Sequence, residues 1–124
     1  MPQKRKILIV EDEAGIRNVH TIFFELQGFE VDTVGEGRLA IEHVRSNDYE
    51  VVVLDLGLPD IDGLDVLQEI RGFSSVPIIV MTVRTDARSI NESLSRGATD
   101  YMNKPFKPET LLRRINGLSV TPAH

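Results

Sequence analysis

The chain has 124 residues, of which 41% are hydrophobic and 27% charged, with a net charge of −5 and no cysteine. Those figures describe one ordinary globular domain with enough apolar residues for a core, and they set aside disorder, a disulfide framework and thiolate metal sites. The acidic balance gives no electrostatic reason to hold nucleic acid directly, and no apolar run approaches the length of a bilayer span.

Met1-Pro2-Gln3-Lys4 is not followed by a signal-peptide hydrophobic region, so the expected location is the cytoplasm, without membrane contact. The basic cluster Lys4-Arg5-Lys6 reads as a solvated chain start. Lys6 to Val10 is a short apolar run that predicts a first strand, and Glu11-Asp12-Glu13 follows it directly. From Ile16 the apolar residues recur as Val19, Ile22, Phe23 and Leu26, which is the spacing of a helix with one buried face. Gly28 is placed to close it. Phe29 to Val34 alternates apolar and polar residues, as a strand near a sheet edge does. Leu39, Ala40, Ile41 and Val44 predict a second helix.

The third strand, Glu50 to Leu54, is apolar after its first residue and rich in valine, as strands buried on both faces are. It runs into Asp55, and Gly57 and Pro59 then stop the extended conformation. After the turn from Pro59 to Gly63, Leu64, Leu67 and Ile70 mark a third helix ended by Gly72. Pro77 opens a fourth strand, Ile78 to Met81, leading into Thr82. Asp86 to Arg96 predicts a polar helix with Ala87, Ile90 and Leu94 as its apolar anchors. It is either a loosely held, partner-facing element or an ordinary exposed helix. Gly97 closes it. Asp100 to Met102 predicts a fifth strand ended by Lys104-Pro105, and Pro108 fits the first turn of a last helix with Leu111, Leu112, Ile115 and Leu118 as its stripe.

Strands alternating with helices predict an α/β fold with parallel crossovers and helices on both faces of the sheet. In a flavodoxin-like (βα)5 order, 2-1-3-4-5, the first and third strands are neighbours and their carboxyl ends form one crevice. Residues 1–118 are expected to form this domain, and 119–124 a tail or the start of a linker.

That order would bring Glu11, Asp12 and Asp55 into one small pocket. Acids so close repel, so either one stays protonated or a cation joins them. Hard oxygen ligands suit Mg²⁺, with the Gly57 carbonyl as a further ligand. Thr82 and Lys104 reach the same rim from the fourth and fifth strands. A hydroxyl and an ammonium beside a metal-bound carboxylate are what a phosphoryl group needs, with Asp55 as the attacking oxygen. Each residue alone has a plainer reading: the acids as favourable charges at a helix N-terminus, Asp55 as a turn cap, Thr82 as a strand residue, Lys104 as a surface charge. Their joint placement carries the functional reading.

With these motifs in view, the sequence resembles the receiver domain of two-component response regulators from Lys6 to about Leu118. The shared features are Glu11-Asp12, Asp55 within Leu54-Asp55-Leu56-Gly57-Leu58-Pro59-Asp60-Ile61-Asp62-Gly63, Thr82, and Tyr101 followed by Lys104-Pro105-Phe106. The resemblance implies that Asp55 accepts a phosphoryl group from a sensor histidine kinase. Asp12, Asp55 and the Gly57 carbonyl would ligate Mg²⁺, with Glu11 acting through water. Lys104 would pair with the phosphate, ahead of a cis bond to Pro105. Thr82 and Tyr101 would move as switch residues, altering the face built from the fourth helix, fifth strand and fifth helix. The domain itself would be a signalling module, not an enzyme, that assists its own phosphorylation and dephosphorylation.

The wording Leu56-Gly57-Leu58-Pro59-Asp60 looks like receivers joined to winged-helix DNA-binding domains, so DNA would be reached only through an effector domain beyond these residues. Asp100 and Arg114 fit the salt-bridge positions of that group's homodimer face, whereas Arg88 stands where an acid is usual and Ile90 where arginine is usual. Val83 replaces the family's usual alanine or glycine. Other readings are a stand-alone or phosphorelay receiver, an aspartate-nucleophile phosphatase, a flavodoxin and a phosphohistidine carrier using His20 or His43. Gly57 sits where the phosphatase needs its second acid, the acidic first loop would repel a flavin phosphate, and neither histidine has an evident acid or base partner.

Overall fold

The computed structural model describes residues 5–84 and 86–119, without the side chain of Ser119. The elements alternate as β1 (Arg5–Val10), α1 (Ala14–Leu26), β2 (Phe29–Val34), α2 (Gly37–Ser46), β3 (Val51–Asp55), α3 (Gly63–Arg71), β4 (Ile78–Thr82), α4 (Ala87–Ser95), β5 (Asp100–Asn103) and α5 (Pro108–Ser119). The strands form a parallel five-stranded sheet in the order β2-β1-β3-β4-β5, the flavodoxin-like arrangement expected. The expected tail begins at the last described residue, and residues 120–124 lie outside the described ones.

The period-2 geometry of strands divides the apolar residues between two cores. Leu8, Val10, Val52, Leu54, Ile78 and Val80 face one layer, where Ala40, Ile41 and Val44 of α2 and Leu64, Val66, Leu67 and Ile70 of α3 cover them. Ile7, Ile9, Val51, Val53, Ile79 and Met81 face the other, closed by Phe24 of α1 and by Leu111 and Ile115 of α5. Both faces of β1, β3 and β4 are therefore dry, which is why these strands read as unbroken apolar runs.

Two helices depart from the sequence expectation. On α1, Val19, Ile22 and Leu26 are 56%, 61% and 80% exposed, while His20 and Phe24 are buried. Apolar residues surround much of this helix, so its spacing admits more than one stripe. The Phe24 ring selects the inward one by packing edge-on against Phe29, 5.3 Å between centroids. On α4 the buried residue is Ser93, whereas Ala87 and Leu94 are exposed and Ile90 is half-buried. The Ser93 hydroxyl donates to the Ile90 carbonyl at 2.9 Å, which satisfies it inside its own helix. A buried serine in place of an aliphatic anchor gives α4 little apolar area to hold it on the sheet.

Close backbone approach fixes the loop after β3. Gly63 donates its N–H to the Leu56 carbonyl at 3.0 Å, and a Cβ there would meet the Leu56 Cα and lie 2.7 Å from the Asp55 carbonyl oxygen. Backbone cannot yield as a flexible side chain can. Gly63→Ala is therefore expected to lower stability by about 1–3 kcal/mol, read from the urea midpoint. An unchanged midpoint would show that this loop relaxes freely.

Candidate functional site

Strand register builds the site. Val10 of β1 lies beside Leu54 of β3, so the next residues, Glu11 and Asp55, emerge side by side. Asp55 is level with Met81 and Thr82 with Asn103, which brings Thr82 and then Lys104 to the same sheet end. The Lys104 N–H donates to the Thr82 carbonyl at 2.9 Å, and the Lys104–Pro105 peptide is cis, as the resemblance implies.

Lys104 Nζ sits between two carboxylates, 2.7 Å from Glu11 Oε1 and 3.2 Å from Asp55 Oδ2. Glu11 Oε2 accepts from the Glu13 N–H at 3.1 Å, and Asp55 Oδ1 from the Gly57 N–H at 3.0 Å. Glu11 is fully buried and Asp55 nearly so, while Asp12 is exposed. Burial pushes the Glu11 carboxyl above its ordinary value, with help from the Asp55 charge and against the bonds from Lys104 and the Glu13 N–H. Burial also works against the Lys104 ammonium, but the bond to Glu11 and the fields of both acids outweigh it and raise its pKa.

One oxygen from each of Glu11, Asp12 and Asp55 lies within 4.8 Å of the others. At that separation two carboxylates repel by roughly 3 kcal/mol at an effective dielectric of 20. Lys104 offsets one of the three charges, and the remainder equals the charge of one divalent cation. The donor set, all hard oxygen, is of the kind that could hold a small one.

A shallow pocket of about 230 Å³ lies over these groups, lined by Asp12, Asp55, Gly57, Thr82 and Lys104 with Val83 at its edge. Two roomier grooves exist, one of about 540 Å³ beside α1 and one of about 480 Å³ between the α2–β3 and α3–β4 connections. Neither holds the acid cluster, so volume is a poor guide to the chemistry here. Thr82 is buried, and its Oγ1 accepts from the Arg84 N–H at 2.8 Å. Among the described residues the hydroxyl proton has no acceptor, so it can be donated to a group entering the pocket.

A family model described as response regulator receiver domain matches residues 7–116. The chain belongs to the response-regulator receiver family. The DNA-binding response regulator MtrA of Mycobacterium tuberculosis is 38% identical over 112 residues, which are 90% of this chain and 49% of that protein. The receiver thus spans about half the length of the curated relatives it matches. A two-component response regulator from Clostridium difficile superposes with a TM-score of 0.91 at 30% identity, covering 98% of this chain and all of that one. The BeF3-activated receiver domain of Klebsiella pneumoniae RstA gives 0.86 at 28% identity, covering 94% and 99%. Among the described residues no helix is long and apolar enough to cross a membrane.

The receiver brings Glu11, Asp12, Asp55, Gly57, Thr82 and Lys104 together as the sequence reading expected. Tyr101 is half-buried against the α2–α3 core, beside Val80 in the register. Asp100 and Arg114 pair with each other inside one chain at 2.6 Å. His20 is a core residue: its Nδ1 faces the Ile16 carbonyl at 3.0 Å, its ring packs on Phe106, and among the described residues Nε2 has no hydrogen-bond partner. Burial lowers its pKa. His43 Nδ1 is likewise taken up by the Leu39 carbonyl at 2.8 Å, and neither histidine belongs to the acid cluster.

Two supports were missed. Arg17 Nη1 donates to the Glu11 and Asp12 carbonyls at 2.7 and 2.9 Å, pinning the acidic loop from the first turn of α1. Asp60 accepts from the Gly37 and Arg38 N–H groups at 2.8 and 3.0 Å and so caps α2 from the β3–α3 loop. A lone arginine just inside a helix that follows an acidic run was the available signal for the first. The second is a contact between distant loops and leaves no local pattern.

Because the Lys104 pKa is raised, its stabilising contribution is present in full below the ordinary lysine value of 10.5 and is lost as pH rises through the higher folded value. Urea midpoints of the wild type and Lys104→Met should therefore converge as pH is raised beyond 10.5. A constant gap across that range would contradict the assignment.

Proposed function

We propose that this receiver is the phosphorylation-dependent switch of a two-component system, with Asp55 as the acceptor of a phosphoryl group from a sensor histidine kinase. The observation carrying this reading is the Lys104 ammonium shared between Glu11 and Asp55 beside the Thr82 hydroxyl. An Asp55 carboxylate oxygen attacks phosphorus, the O–P bond forms as the N–P bond of the phosphohistidine breaks, and the imidazole leaves with the electron pair. Lys104 moves from the carboxylates to the phosphoryl oxygens, and Thr82 donates its proton to another. Mg²⁺, held by Asp12, Asp55 and the Gly57 carbonyl with Glu11 acting through water, would neutralise charge on the transferring group. The side chains thereby assist both the gain and the hydrolytic loss of the phosphoryl group.

The readout we assign is the α4-β5-α5 face. Thr82 and Tyr101 lie on neighbouring strands beneath α4, and the thin apolar anchoring of that helix supports two packings of similar energy. Relatives named as DNA-binding response regulators are about twice as long as this chain, which supports transcriptional control through a DNA-binding effector domain. Homodimerisation through the same face would draw on Asp100 and Arg114, exchanging their internal pair for one between copies. Cytoplasmic placement follows from the kinase partner.

Incubation with Mg²⁺ and a small acyl-phosphate donor should add one phosphoryl group, labile to alkali, by intact-mass measurement. Asp55→Asn should abolish the gain. An adduct undiminished in that variant, or none in the wild type, would overturn the reading.

Val83 is 74% exposed at the pocket edge, where a branched side chain narrows the approach of donor or water. Val83→Ala should accelerate phosphorylation and dephosphorylation several-fold in time courses of the same adduct. Unchanged rates would remove Val83 as an access barrier.

A further inference from the structure

Arg84 leaves the pocket toward Asp62. Its Nη2 is 3.3 Å from Asp62 Oδ2, while Asp62 Oδ1 accepts from the Leu64 N–H at 2.9 Å and caps α3. The ion pair joins the β4–α4 loop to the β3–α3 loop, and Arg84 also lines the pocket that holds Asp55, Thr82 and Lys104. Both partners are partly exposed, so the bridge itself is weak and easily exchanged.

From the charge count and this placement, we propose that Arg84 is a binding residue for the phosphoryl group, held in reserve by Asp62 and transferred to the phosphoryl oxygens when Asp55 is modified. The proposal rests on the reading of Asp55 as the acceptor. Once Asp55 is phosphorylated to an acyl phosphate, Glu11 and Asp12 leave two negative charges and the phosphoryl group adds close to two more. Lys104 and one divalent cation return three. Glu13, also at the pocket, adds to the deficit, and Arg84 is the remaining cation among the described lining residues. A guanidinium fork suits phosphoryl oxygens better than the single carboxylate oxygen it now meets.

The route is built in. The Arg84 N–H donates to Thr82 Oγ1 at 2.8 Å, so movement of the Thr82 hydroxyl toward the phosphoryl group draws the Arg84 backbone with it. Release from Asp62 leaves the α3 cap in place, because that cap uses the other carboxylate oxygen.

The test uses beryllofluoride, a phosphoryl mimic, titrated at saturating Mg²⁺ and followed by fluorine NMR. Arg84→Ala should weaken binding about tenfold, as expected for loss of a charged hydrogen bond. Asp62→Asn keeps a side chain that caps helices equally well but frees the guanidinium, so it should tighten binding about threefold. Opposite signs from the two ends of one ion pair support the proposal. If Arg84→Ala has no effect, or both variants weaken binding alike while unfolding at the wild-type temperature, Arg84 is only a loop tether and the proposal fails. A wild-type protein that does not bind beryllofluoride would instead overturn the assignment of Asp55 as acceptor, and this proposal with it.

Discussion

Crowding of like charge at one end of the sheet is the constraint on which the rest of the molecule depends. Glu11 and Asp55 are both removed from water, and Asp12 is close enough to add its field. Buried carboxylates without partners would protonate or push the loops apart. Lys104 prevents this by reaching both acids from the far edge of the site, and the N–H groups of Glu13 and Gly57 take further lone pairs. The charge left over is of the size that one divalent cation neutralises, and any further anion entering the site would restore the deficit. A site so balanced is sensitive to a single added group, which is the property a signalling switch requires.

Holding such a cluster needs loops that do not yield. Arg17 fixes the acidic loop through two carbonyls, and Asp60 ties the β3–α3 loop to the start of α2. Gly63 lets that loop fold directly against the end of β3, and at Gly37 a Cβ would lie 2.6 Å from Val66 Cγ2, so only glycine lets α2 and α3 approach as they do. These contacts belong to one side of the site. On the other side, α4 is capped well by Asp86 but buries a serine where the other helices bury aliphatic or aromatic side chains. Rigid loops around the acids and a weakly anchored helix beyond Thr82 give a local charge event one direction in which to relax.

Much of this was legible in the residues themselves. Unbroken apolar strands, amphipathic helices and turn glycines determine the alternation of elements, and strand ends carrying Glu11, Asp12, Asp55, Thr82 and Lys104 mark the candidate site, because each sits where its strand must stop. Tertiary structure decided what periodicity leaves degenerate. Phe24 rather than Val19, Ile22 and Leu26 faces the core of α1, since packing against Phe29 selects one stripe among several. Ser93 carries the buried side of α4, because a serine can satisfy its hydroxyl within the helix. Arg17, Asp60 and the Asp62–Arg84 bridge acquire roles only when loops far apart in the chain are brought within hydrogen-bond reach, and no local pattern encodes that distance.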